Sequence, residues 1–115
     1  MPGVSGASTA GYCLEAVYQL NNHGYTAVVI NHIAPRDGAN DLRLLDFSNA
    51  AALKEAVGHL QQKFGPECKI LAVGFSMGGN HLLRYLGDYK SSTAKSGIHA
   101  AMTIGNPFDV LATGL

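Results

Sequence analysis

The chain has 115 residues, of which 47% are hydrophobic and 14% charged, and its eight basic and eight acidic side chains cancel. That length holds one domain at most, the apolar content excludes a disordered chain, and the absence of net charge or a basic run gives no support for nucleic acid as a partner. Histidines at 23, 32, 59, 81 and 99 and the two cysteines, Cys13 and Cys68, show neither metal-ligand spacing nor a disulfide framework, and no apolar run reaches the roughly eighteen residues of a membrane span.

Taken in order, residues 1–9 read as a loop of small residues. Ala10, Cys13, Leu14, Val17 and Tyr18 then recur at helical spacing as far as Asn22, and His23-Gly24 closes that helix. Tyr25 to Ile30 is a nearly continuous apolar run rich in β-branched residues, which predicts a strand covered on both faces. Asn31 to Asp46 predicts a long loop, a class often functional. Leu53, Val57, Leu60 and Phe64 mark one face of a second helix that Gly65-Pro66 stops. Lys69 to Gly74 predicts another buried strand, followed by a helix with Leu82, Leu83 and Leu86 turned inward. Ser91 to Gly97 is a polar connection, Ile98 to Ile104 a third strand, and residues 106–109 the turn into a further helix. Alternating helices and strands imply an α/β fold: parallel strands in a three-layer α-β-α arrangement, joined by right-handed crossovers.

Between the second strand and its helix lies Gly74-Phe75-Ser76-Met77-Gly78, a G-x-S-x-G pentapeptide. A sharp strand-to-helix turn of this kind projects a serine hydroxyl from the end of a sheet strand, and glycines flank it because side chains there would collide. Ser76 would stand at a helix N-terminus, whose free N–H groups favour developing negative charge. The competing structural reading is a glycine-rich turn in which the serine merely caps a helix. A nucleotide-binding reading fails on spacing, since Gly74, Gly78 and Gly79 do not make G-x-G-x-x-G and no G-K-[ST] is present.

Four blocks in order, Pro2-Gly3-Val4-Ser5-Gly6, Val29-Ile30-Asn31-His32, Val73 to Asn80 with the pentapeptide inside it, and Gly105-Asn106-Pro107-Phe108-Asp109, resemble the α/β-hydrolase superfamily. Within it they resemble the YheT-like branch, which includes membrane-associated acylglycerol lipases and short-chain carboxylesterases. The resemblance covers essentially the whole chain, so residues 1–115 are expected to be a partial α/β-hydrolase domain running from the oxyanion loop to the strand after the nucleophile helix. It implies a serine hydrolase acting on carboxylic esters or lipids through an acyl-enzyme on Ser76. The backbone N–H groups of Val4 and Met77 would form the oxyanion hole, and no metal or organic cofactor would be needed. It also makes membrane association of the parent protein an expectation, while localisation and oligomeric state stay open. His32 is followed by Ile33-Ala34, where the family tends to place Arg-Gly, and it receives no role.

A serine nucleophile needs an imidazole to take its proton and a carboxylate to orient that imidazole. After Ser76 the acids are Asp88 and Asp109 and the histidines His81 and His99. His81 shares the helix of Ser76 and reads as a surface or packing residue. His99 falls within a predicted strand, buried between apolar neighbours, and Asp109 reads as a helix cap. The resemblance places the acid and histidine on later strands, beyond Leu115. It also places another strand, leading into the Pro-Gly loop, between the strands holding residues 25–30 and 69–74, where Met1 stands. The expectation is therefore the middle of a larger hydrolase or a truncated product. The alternative is a catalytically inactive α/β-hydrolase-like binding module.

Overall fold

The structure is a computed structural model that describes residues 1–3, 7–31, 51–90, 92–109 and 112. The elements are α1 (Gly11–Asn22), α2 (Ala51–Phe64), β1 (Leu71–Phe75), α3 (Met77–Asp88), α4 (Thr93–Ser96) and β2 (Ala100–Ile104). The strands pair in parallel, with Leu71 opposite Ala100 and Phe75 opposite Ile104. Parallel neighbours need a crossover rather than a hairpin, and α3 with α4 supplies it.

Side chains alternate across a strand, so Ala72 and Gly74 of β1 face one layer and Leu71, Val73 and Phe75 the other. On the first side lies α3, whose Gly78 and Gly79 backbone sits against Gly74. On the second, the Tyr12 ring of α1 meets Phe75 at 5.0 Å between centroids. Helix α3 thus covers one face of the parallel pair. On the other, only Tyr12 among the described residues reaches Phe75, and Leu71, Met102 and Ile104 stay exposed, a partial form of the α/β layering expected from the alternation of elements.

The core lies on the α3 side, where Leu53 and Val57 of α2 meet Leu82 and Tyr85 of α3, together with Ile98. Fully burying such a side chain stabilises by about 1.5–3 kcal/mol. Tyr85 is 1% exposed, and its hydroxyl donates to the Ser96 carbonyl at 2.6 Å. Burial, and secondarily the neighbouring Tyr89, raises its pKa above the ordinary tyrosine value. That hydrogen bond is what allows a phenol to occupy a core position.

Several expectations are corrected. Residues 25–30 are not a strand: they join no ladder among the described residues. Their apolar sequence lines a groove of about 380 Å³ shared with α1, α2 and β1. Apolar character alone does not make a strand, because ladder hydrogen bonds need a neighbour within reach. Met1 occupies the β1 edge on that side. Its amine donates to the Val73 carbonyl at 2.8 Å, and the Phe75 N–H donates to the Met1 carbonyl at 3.0 Å, the parallel pattern.

On α3 Leu82 and Tyr85 are buried and half-buried Leu86 packs against the same core, as expected of Leu82 and Leu86, while Leu83 is 39% exposed. Positions 78, 82 and 85 share a helix face, and 83 is turned about 100° from 82. Leu14 and Tyr18 of α1 and Phe64 of α2 are exposed, so Cys13 alone is buried on α1. The polar connection contains the short helix α4, and β2 begins two residues after Ile98, leaving His99 exposed outside it. The expected loop over residues 31–46, apart from Asn31, lies outside the described residues, and so does His32. Among the described residues no helix is long and apolar enough to cross a membrane.

Candidate functional site

Ser76 follows β1 directly and precedes α3 directly. Its N–H extends the β ladder by donating to the Ile104 carbonyl at 2.9 Å, while its carbonyl accepts from Gly79 and Asn80, the opening bonds of the helix. One residue therefore ends a strand and starts a helix. The turn is possible only with φ at +50° and ψ at −119°, a region unfavourable for a side-chain-bearing residue at a cost of about 1–3 kcal/mol.

The capping reading does not describe this serine. An ordinary N-cap has extended backbone, and its side-chain oxygen accepts an N–H of the first turn. Ser76 has neither the backbone conformation nor a side-chain capping bond. Met77, the first residue of α3, is 2% exposed, and helical geometry leaves its N–H without an intrahelical acceptor.

The tightness of the turn explains its glycines. A Cβ on Gly78 would lie 2.5 Å from the carbonyl oxygens of both Met1 and Pro2, so the N-terminal segment rests directly on the first turn of α3. Gly3 is also close to the serine: a Cβ there would stand 3.0 Å from Ser76 Cβ and 3.6 Å from Oγ. The Pro-Gly segment and the pentapeptide, about seventy residues apart in sequence, are thus in contact. Gly3, Tyr12, Phe75, Ser76 and Ile104 line an open cleft of about 350 Å³. Tyr12 is a member that the sequence reading missed. Its position as the second residue of a helix carried no signal, because only the fold brings it to Gly3.

The other named residues are placed as follows. Val4 lies outside the described residues. Asp109 accepts the Ala112 N–H at 2.9 Å, and the helix it was expected to cap lies outside the described residues. His99 is engaged with Ile70, its N–H donating to the Ile70 carbonyl at 2.8 Å and its Nδ1 lying 3.2 Å from the Ile70 N–H. Asp88 lies 4.0 Å from Arg84 on the exposed face of α3. His81 is half-buried on α3. Asn106, just beyond β2, has a buried carboxamide with no hydrogen-bond partner among the described residues, and its Cβ backs onto Gly79. Among those residues no group of three or more histidine, cysteine or acidic side chains is arranged to hold a metal.

Comparison with known proteins agrees with this architecture. Residues 23–114 match the family described as "Alpha/beta hydrolase of unknown function (DUF915)". The chain is 32% identical over 114 residues to embryogenesis-associated protein EMB8 of Picea glauca, covering 96% of this chain and 24% of that protein. It is 35% identical over 95 residues to phospholipase ABHD3 of Homo sapiens, covering 81% and 23%. It is 26% identical over 96 residues to monoacylglycerol lipase ABHD2 of Mus musculus, covering 82% and 22%. The chain thus spans about a quarter of the length of these curated relatives, and no solved structure matches it. With a parallel strand pair packed on a helix and a family match across most of its length, the chain belongs to the alpha/beta hydrolases.

Proposed function

We propose that this chain carries the nucleophile region of a serine hydrolase acting on carboxylic esters of lipids, with acylglycerols as the first substrate class. The observation that carries this reading is the strained backbone of Ser76 combined with the absence of a capping bond from its hydroxyl. Strained backbone of this kind clusters at active sites, and a hydroxyl not used for capping is free to react there. The names of the relatives, a phospholipase and a monoacylglycerol lipase, support a lipid ester as substrate. The apolar side chains of Tyr12, Phe75 and Ile104 around the cleft suit an acyl chain.

In this mechanism Ser76 Oγ bonds to the ester carbonyl carbon, and its proton passes to a general base. The tetrahedral oxyanion is held by the N–H groups of Met77 and Val4. Collapse breaks the carbon–alkoxide bond, the alkoxide takes the proton from the base, and the acyl group stays on Ser76. Water then adds to that acyl-enzyme with the same base removing its proton, releasing the carboxylic acid and restoring the serine. The base is expected to be a histidine oriented by a carboxylate, as in the resembled family. Neither His99 nor Asp109 suits that pair, given the bonds they already make.

The test is turnover of a monoacylglycerol and of a short-chain aryl ester by the native polypeptide that carries these residues. Hydrolysis lost in Ser76→Ala, with folding intact, is the expected result. A folded protein that binds esters without turning them over, or a Ser76→Ala variant of undiminished activity, would overturn the proposal and favour the binding-module alternative.

A further inference from the structure

The cleft beside the candidate nucleophile holds a polar group that the mechanism above does not use. Tyr12, in the first turn of α1, lines it together with Gly3, Phe75, Ser76 and Ile104. Its ring packs on Phe75, 5.0 Å away and tilted 58°. Phe75 immediately precedes Ser76, so the phenol is held in place relative to the nucleophile. The residue is 42% exposed and therefore open to an entering ligand. Its oxygen accepts the Gly3 N–H at 3.0 Å. A phenol can accept and donate at once, so with Gly3 as donor the Tyr12 hydrogen is left for an acceptor, and no described residue takes it. The other walls are glycine backbone and apolar side chains. Among the described residues, this hydroxyl is thus the cleft's one side-chain donor besides Ser76.

We infer that Tyr12 is a specificity-determining residue for the alcohol part of the ester: its hydroxyl donates to a free hydroxyl oxygen on the leaving-group side of the substrate. This rests on the hydrolase reading above. The choice of acceptor follows from the oxygens an ester offers. With the carbonyl carbon at Ser76 Oγ, the carbonyl oxygen turns to the backbone N–H of Met77. A saturated acyl chain has no further oxygen and suits the apolar surfaces of Phe75 and Ile104. The bridging ester oxygen is a weak acceptor and common to every ester. The strong acceptor left for Tyr12 is a hydroxyl on the alcohol, which a monoacylglycerol carries and a plain alkyl ester lacks. An ester without it takes water from the phenol and returns nothing, which is how a polar site turns away an apolar analogue. The role is recognition alone, and no proton leaves Tyr12.

The experiment uses the hydroxyethyl and propyl esters of the same fatty acid, which differ only in a terminal hydroxyl against a methyl group. Both are given to the native polypeptide that carries these residues. The wild-type protein should favour the hydroxyethyl ester about fivefold in kcat/KM, the factor that a single neutral hydrogen bond supplies. In Tyr12→Phe, which keeps the ring, the preference should fall to about one. That variant also loses the Gly3 bond, but any resulting distortion slows both esters alike and cancels in the ratio. A merely structural Tyr12 would therefore leave the ratio where it was. No preference in the wild-type protein, or a preference that survives in Tyr12→Phe, would overturn the inference. A folded wild-type protein that hydrolyses neither ester would sink the hydrolase reading. Equilibrium binding of the matching hydroxyethyl and propyl ethers, which cannot be hydrolysed, then decides the hydrogen bond by itself. A preference of about fivefold for the hydroxyethyl ether that Tyr12→Phe abolishes supports the donor role, and equal binding of the two ethers refutes it.

Discussion

Replacing Gly78 with alanine tests the contact between the N-terminal segment and the first turn of α3. The added methyl would meet two backbone carbonyl oxygens at 2.5 Å, and the Met1 carbonyl carbon at 2.8 Å. Ordinary contact begins near 3.4 Å, so the segment must retreat by roughly 0.9 Å, and neither oxygen belongs to a side chain that could swing away. Overpacking of this kind costs about 1–3 kcal/mol, against which alanine returns roughly 0.5–1 kcal/mol of helix propensity. Gly58, inside α2, provides the control. A Cβ there meets nothing within 4 Å, so Gly58→Ala should gain that same propensity with nothing to oppose it. The two variants should differ by about 2 kcal/mol, with opposite signs relative to the parent. Urea denaturation with a shared m-value reads this directly. Gly78→Ala should also slow labelling of Ser76, because the displaced segment carries the expected oxyanion loop. Equal stability of the two variants would refute the packing argument, and a destabilised Gly78→Ala that reacts normally would separate the segment from catalysis.

Three further outcomes are expected. Ser76→Gly should be more stable than Ser76→Ala by about 1–2 kcal/mol, because both lack the hydroxyl but only glycine escapes the cost of positive φ; equal melting would show that the turn carries no strain. Tyr85→Phe leaves the Ser96 carbonyl without its buried donor and should cost about 1–3 kcal/mol in chemical denaturation. The pKa of Tyr85 is raised in the folded state, so the unfolded chain ionises first. The stability Tyr85 contributes is therefore fully present below the ordinary tyrosine value near 10 and is lost as pH climbs from there through the folded value. Denaturation midpoints should fall in that window for the parent, and less steeply for Tyr85→Phe.

What the sequence reveals and what it hides divide along physical lines. The strand-to-helix turn at Ser76 was legible because its chemistry is local: an apolar run, glycines where backbone must approach backbone, and a helix-compatible run beyond. The cap at His23-Gly24 was legible for the same reason. On α3 the expectation holds for Leu82 and Leu86 and fails for Leu83, because a leucine marks the core only where its helix face points there. Tyr85 also occupies the core, since Ser96, eleven residues away, offers its hydroxyl an acceptor. Residues 25–30 read as a strand on composition, yet pairing depends on a neighbouring backbone that composition does not reveal. Tyr12 was invisible for a related reason. Its partners are Gly3 and Phe75, and only the docking of Met1 onto β1 brings them together.

The most direct measurement is reaction of the native polypeptide with a fluorophosphonate, followed by peptide mapping of the adduct by mass spectrometry. The account predicts a single adduct on the peptide containing Ser76, at Oγ, absent from Ser76→Ala and suppressed by prior incubation with a monoacylglycerol. An adduct on another serine, or none from a folded protein, would contradict it.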